Sequence, residues 1–367
     1  MTARVSRVED ARALREFCDL PLRLHPRDRY VPLIRSVVRD WWRGRGPHAR
    51  YGPVDFYVVR DDAGTVVGRT CVHRNPKFDA KLGRTHQLFG LTEFVDDDAV
   101  AAALFDLIAE RGAGTDALFG PVGLLPNQTG GVITSGFDER GFVDSAWNPA
   151  YYPRAYERHG FTRRFEADTW ICEGFDGEPY AFDDARLAAE DLVIRHGSRR
   201  GFAEQLPILR GLLNASFAQL GYYTEIDADE LAAQTDGLAY LLDEALLLWL
   251  ERAGEPVAFI VAVPDISEYL MKVGGNLSVL NQVRLLATRS RYRRDAVLII
   301  KGTVPAAQGR GYLTLLSREL HRGLRRHGYA ALRSTYVERD NAASAAQYRR
   351  AGGRPLHGYT FYARDVA

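Results

Sequence analysis

Cysteine is scarce: Cys18, Cys71 and Cys172 are the three in 367 residues, far apart and never as a CxxC pair. So odd and sparse a set argues against a disulfide framework and a structural zinc site, and fits a reducing compartment. Lysine occurs only at positions 77, 81, 272 and 301, so arginine supplies nearly all the positive charge. Arginine favours planar, phosphate-matching contacts wherever cations line a site. Neither sign of charge prevails, with Lys and Arg at 48 and Asp and Glu at 47. That balance excludes a strongly basic nucleic-acid coat and a polyacidic tail. The longest strongly apolar run, residues 245–250, is about a third of a membrane span. The opening MTARVSRVEDAR carries charge where a secretory signal needs apolar residues. The nine histidines show no HxxxH or clustered spacing, so no metal site is expected. The expectation is a soluble, cytoplasmic protein without a metal.

What is present is ordinary globular composition, 46% apolar and 26% charged, with length for about two domains. The chain states one pattern twice. Residues 56–68 and 246–261 each read as two apolar runs around a charged Ala-Gly turn, a β-hairpin signal. Their turn glycines, Gly64 and Gly254, stand 190 residues apart. A Tyr–Gly helix ending recurs at Tyr156–Gly160 and Tyr348–Gly352, offset by 192; the glycine suits a C-cap. Between hairpin and ending, each half holds an amphipathic helix-length segment, residues 99–112 and 311–328. The first half has an excess at residues 120–152, rich in Gly, Pro and Asn, which reads as a long functional loop. The strand pattern lapses at 176–190, the expected linker, and residues 264–295 read as irregular and basic.

Chemistry concentrates where the strand 296–300 feeds a helix through Thr303-Val304-Pro-Ala-Ala-Gln308-Gly309-Arg310-Gly311-Tyr312-Leu313. Glycines let successive N–H groups turn inward, and a helix starting there adds about half a positive charge. The pair can hold a phosphate or pyrophosphate, with Arg310 adding a cation; a plain turn entering a helix is the bland alternative. Asn341 opens the next helix, where it can cap or hydrogen-bond a ligand. Tyr348 lies two turns on along the same face and can protonate a leaving group while its phenol stays protonated. Its alternative is a satisfied core aromatic.

Gln308-Gly-Arg-Gly311 after Thr303-Val304-Pro305, followed by Asn341, Tyr348 and Gly352, resembles the GNAT superfamily of acyl-CoA-dependent N-acyltransferases. The likeness covers residues 192–367. FGLTEF, GPVGLLPNQTGG, NPAYYPRAYERHGF, AVPDI and RRAGGRPLHGYTFYARD resemble large bacterial proteins with two GNAT-like halves. The resemblance implies an α/β fold with a mixed sheet in two tandem GNAT-like domains. Residues 1–175 would be a degenerate unit and residues 191–367 the acyl-CoA-binding catalytic unit. It also implies that Thr303 and Val304 pair with pantetheine, that Gln308 to Leu313 bind pyrophosphate, that Asn341 lies along the cofactor, and that Tyr348 protonates the thiolate. Leu313 stands where the family usually has Gly or Ala, so crowding is expected there. The family's usual strand glutamate is missing, since residues 296–302 offer only Lys301. Glu338, Asp265, Glu225 and Glu93 are the candidate bases, with Glu338 chosen. In the first half Asp96, Asp97 and Asp98 replace the glycine turn and would repel pyrophosphate, so that half is expected to bind no CoA.

The expected activity is acyl transfer, most simply acetyl transfer from acetyl-CoA, to a small-molecule amine. Residues 120–152 would shape part of the acceptor pocket. One alternative is an aminoacyl-tRNA-dependent transferase using the arginines of residues 284–294, RLLATRSRYRR, with Arg322, Arg325 and Arg326. Another is a non-catalytic acyl-CoA-binding protein. Trp41 and Trp42 are expected to be core or interface anchors.

Overall fold

The computed structural model describes residues 3–124, 130–292 and 294–366. The first half contributes strands β1 (Arg4–Arg7), β2 (Asp55–Arg60), β3 (Val66–His73), β4 (His86–Phe94), β5 (Ala117–Gly120), β6 (Val132–Ser135) and β7 (Thr162–Glu173). The second contributes β8 (Leu192–His196), β9 (Leu247–Arg252), β10 (Glu255–Pro264), β11 (Asp295–Thr303), β12 (Ala331–Glu338) and β13 (Arg354–Asp365). Both predicted hairpins form, β2–β3 and β9–β10. Ala253 and Gly254 at the second turn have φ of 50° and 80°, as a two-residue hairpin twisting with its strands requires.

Both amphipathic segments are helices packed on the sheet. Asp98–Arg111 is capped by Asp97, whose carboxylate accepts from Ala99 and Val100. Tyr312–Arg326 buries Leu315, Leu316, Leu320 and Leu324 at helical spacing, placing that stripe against the strands. Its polar face is basic.

The strands form one sheet in the order β1-β2-β3-β4-β5-β13-β7-β12-β11-β10-β9-β8, with β6 on β13. The repeat is therefore visible as an approximate two-fold relation along the sheet, with an exchange at its centre. The last strand of each half lies in the other: β13 pairs with β5, and β7 pairs with β12. Each half completes its neighbour's sheet.

The basic stretch expected to be irregular carries two helices, Ser267–Val273 and Val279–Thr288. Leu285 of the second is buried with Val31, Ile266, Tyr269 and Leu270, which is enough tertiary contact to fix a helix of weak propensity. The linker segment also holds a short helix, Ala185–Ala189. It rests against the glycine turn: Arg186 Nη2 donates to the Arg310 carbonyl at 3.0 Å, and Tyr312 Oη donates to Glu190 at 2.6 Å.

Candidate active site

Parallel β11 and β12 pair only from Asp295 and Ala331 to Leu298 and Ser334. A bulge interrupts β11 against Val261 and Ala262. Beyond it β11 stays with β10, while Val337 and Glu338 of β12 stay with β7. The two strands open into a V, with Thr335 Oγ1 donating to the Ile299 carbonyl at 2.6 Å near its vertex. Past Leu298 no described strand pairs with this edge of β11, so its backbone can pair with a ligand lying in the cleft.

At the open end sits the glycine turn. Gly309 and Gly311 have φ of 75° and 78°, where an L side chain costs about 1–2 kcal/mol. Space is not the constraint, since no heavy atom lies within 4 Å of a Cβ built at Gly309. Among the described residues no backbone carbonyl takes the amides of residues 309–313. Those amides and the following helix N-terminus make an anion-binding concavity.

A cavity of about 1180 Å³ runs from this turn across the sheet. Its wall includes Thr303, Gln308, Gly309 and Gly311, then Tyr312 and Leu313. Asn341, Glu338 and Tyr348 also line it. Two expected residues lie off the wall: Val304 donates to the Val257 carbonyl at 3.0 Å, and Arg310 is exposed. Leu313 is half-buried and packs partly into the core beneath the helix. Asn341 caps the helix Ala342–Arg350, accepting from the Ser344 amide at 3.0 Å.

Tyr348 is 4% exposed and stacks on Trp170, with centroids 5.8 Å apart. Burial pushes its phenol well above the ordinary value against the opposing Ser334 hydroxyl, so it stays protonated at neutral pH. Lys301 Nζ lies 4.1 Å from the centre of that ring and donates to Gln347 Oε1 at 2.8 Å. Burial lowers the Lys301 ammonium to about 7, against a weaker upward pull from Cys172. Lys301 is the one titratable side chain of residues 296–302, and the sequence alone assigns it no role. Alternation along β11, which points residue 301 toward the tyrosine side of the sheet, was the available signal.

The proposed carboxylates separate. Glu338 is half-buried, its carboxyl raised by burial and by Asp340. Asp265 is occupied structurally, accepting from Ser267 and pairing with Arg140 at 3.0 Å. Glu225 is exposed and off the cavity wall. Glu93 lies at the cavity's far side, on β4 of the first half. It meets His25 Nε2 at 2.6 Å, accepts from Tyr152 Oη at 2.9 Å and faces Arg69 at 3.7 Å. Burial pushes Glu93 up, but His25, Arg69 and Tyr152 outweigh it and hold the carboxyl below its usual value.

The first half repeats the frame without the turn. β4 and β5 likewise part after a short pairing, here of three residues, and β4 then bulges against β3 with Leu91 at φ 50°. Asp97 caps its helix and Asp98 pairs with Arg158 and His159, so the acidic junction is accounted for by local structure. The long loop lines the cavity through Pro121, Val122 and Phe142 to Asn148; its residues 125–129, within the GPVGLLPNQTGG motif, lie outside the described residues. Among the described residues no group of three His, Cys, Asp or Glu side chains is placed to hold a metal, and no helix is long and apolar enough to cross a membrane.

No family model matches the chain. It is 24% identical over 366 residues to Protein YghO of Escherichia coli K12, covering 96% of this chain and 93% of the relative. It is 22% identical over 280 residues to Bacterial ceramide synthase of Caulobacter vibrioides, covering 74% and 73%. A solved tandem GNAT protein from the clavulanic acid biosynthesis pathway superposes with a TM-score of 0.60 at 12% identity, over 100% of this chain and 99% of that one. At such identities the likeness is one of fold, and with the doubled frame, the split strands and the glycine turn it establishes that this chain has the tandem GNAT fold.

Proposed function

We propose that the chain is an acyl-CoA-dependent N-acyltransferase whose donor site is the second half's cleft. The observation that carries this reading is a single cavity bordered by the Gln308–Gly311 turn, Tyr348 and Lys301. The turn and helix N-terminus would hold the pyrophosphate, and the free edge of β11 would pair with pantetheine. The thioester carbonyl would then lie beside the bulge, where backbone N–H groups steady the oxyanion. The amine nitrogen attacks that carbonyl, a C–N bond forms and the C–S bond breaks. Lys301, neutral at about half occupancy near pH 7, takes the proton from the attacking nitrogen. Tyr348 gives its proton to the departing sulfur and recovers one from Lys301, so the products are an amide and free CoA. Glu338, the expected base, has its place here as the carboxylate that attracts the acceptor's ammonium. The compartment we assign is the cytoplasm, on three free cysteines.

Acetyl transfer to a small amine is the minimal form of this reaction. The walls of the cavity beyond the donor site favour a larger one. Phe202, Leu209, Leu213, Phe217 and Ile226 give it an apolar wall in the second half, and Val31 and Leu33 continue it in the first. An acyl or amine partner with a long apolar chain fills that space. The identity with a protein named Bacterial ceramide synthase points the same way, a ceramide being a long-chain amide. Release of free CoA is the readout: thiol appearance is followed with short and long acyl-CoAs against short and long-chain amines. Turnover that rises with chain length on either partner supports the reading. Acyl-CoA binding without turnover on any amine would instead indicate a non-catalytic acyl-CoA-binding protein.

A further inference from the structure

The helix Val279–Thr288 is built for an environment the sheet does not supply. Val279, Leu280, Val283 and Leu286 are 77%, 58%, 58% and 38% exposed. At 3.6 residues per turn they fall in one stripe about 120° wide. Leu285, on the other side, is buried and anchors the helix. Arg284 borders the stripe, and Arg289, Arg291 and Arg294 follow it, all exposed. None of these four has a carboxylate partner among the described residues. Tyr240, 70% exposed, belongs to the neighbouring turn whose Leu241 packs into the same cluster as Leu285.

The buried side of the helix adjoins the cavity. Val31, Ile34 and Val143 line the cavity and belong to the cluster that seats this helix. Leu238, two residues before Tyr240, is on the cavity wall, and Val37 of that wall is 39% exposed, so the cavity reaches the surface on this side.

We propose that the helix Val279–Thr288 and the arginines after it dock the protein on an anionic lipid bilayer surface, beside the opening of its apolar cavity. Bare aliphatic side chains flanked by arginines match the layered chemistry of a bilayer interface, acyl chains below and phosphates above. An RNA surface would use the arginines but leave the valine and leucine side chains in water. A second copy across a two-fold axis would bring arginine against arginine. No described helix is long and apolar enough to cross the bilayer, so the contact is peripheral. The inference goes beyond the acyl-transfer reading and holds whatever the donor.

The test is sedimentation of the full chain with vesicles of phosphatidylglycerol and phosphatidylcholine, and with phosphatidylcholine alone. Binding is expected to the anionic vesicles, weakened by salt. Val279→Asp with Val283→Asp should reduce it by at least about tenfold, as should Arg289→Glu with Arg291→Glu. All four positions are exposed and off the cavity wall, so folding and any acyl-CoA binding should be unchanged in these variants. That second readout separates this inference from the acyl-transfer reading. Three results would overturn it: no binding to either vesicle, binding unaffected by the substitutions, or retention of tRNA or self-association in place of vesicle binding.

Discussion

Lys301 concentrates the chemistry at the scale of single residues. Its ammonium is lowered to about 7 by burial, against about 10.4 for an unfolded lysine. In the proposed reaction the neutral amine is the base, so kcat should rise with pH up to about 7 and level above it. Lys301→Met should flatten that profile and lower kcat by roughly 100-fold, while leaving acyl-CoA affinity nearly intact. Stability carries the same signature with its sign fixed by linkage. Between about 7 and about 10.4 the unfolded chain holds the extra proton, so unfolding free energy rises with pH across that window. Below it the cost of burying the charge is felt in full. Urea titrations at several pH values check this, and the methionine variant should lose that rise. Glu93 tests the opposite kind of residue. Its carboxylate faces His25 and Arg69 in a buried cluster, so Glu93→Ala should cost about 3 kcal/mol, measured by denaturant unfolding. A cost near zero would mean the cluster is solvated.

Elements were legible where their signal was local. The two hairpins, the helices Asp98–Arg111 and Tyr312–Arg326, and the Asn341-capped helix Ala342–Arg350 all follow from periodicity, caps and glycine turns near in sequence. The glycine turn was legible for the same reason: left-handed backbone at Gly309 and Gly311 is written in the residue type. Two things were not. Alternation marks β7 and β13 as strands but carries no information on which strand lies beside them, so their exchange could not be read. The helix Val279–Thr288 escaped because its apolar stripe faces outward while only Leu285 faces the core, and a search for core-facing periodicity passes over it. Lys301 was seen and left unused, because its burial depends on Tyr348 and Gln347, far away along the chain. Of the carboxylates, sequence could not separate Asp265, held by Arg140, from Glu338 on the cavity wall.

At the scale of the molecule the strand exchange makes the two halves interdependent. β7 lies between β12 and β13, and β13 lies between β5 and β7. A fragment of residues 191–367 therefore lacks the strand that pairs with β12 beside the cleft. Expressed alone, it should fail to give a cooperative unfolding transition; mixing it with residues 1–175 should restore one. Independent folding of the fragment would show that the exchange is dispensable. The same arrangement explains why a half without a glycine turn is retained in the architecture. It supplies β7, which pairs with β12 beside the cleft, and, through Val31, Phe142 and Tyr152, one end of the cavity.

Acyl transfer by this chain requires that the turn at Gln308 to Gly311 be an acyl-CoA site. Isothermal titration of the full chain with acetyl-CoA and a longer acyl-CoA, repeated on Gly311→Asp, tests it most directly. Binding in the micromolar to millimolar range typical of enzyme substrates is expected, abolished in the variant by a side chain and a negative charge at a left-handed position that would face pyrophosphate. No binding of either thioester to the intact protein, or binding that Gly311→Asp leaves unchanged, would contradict it.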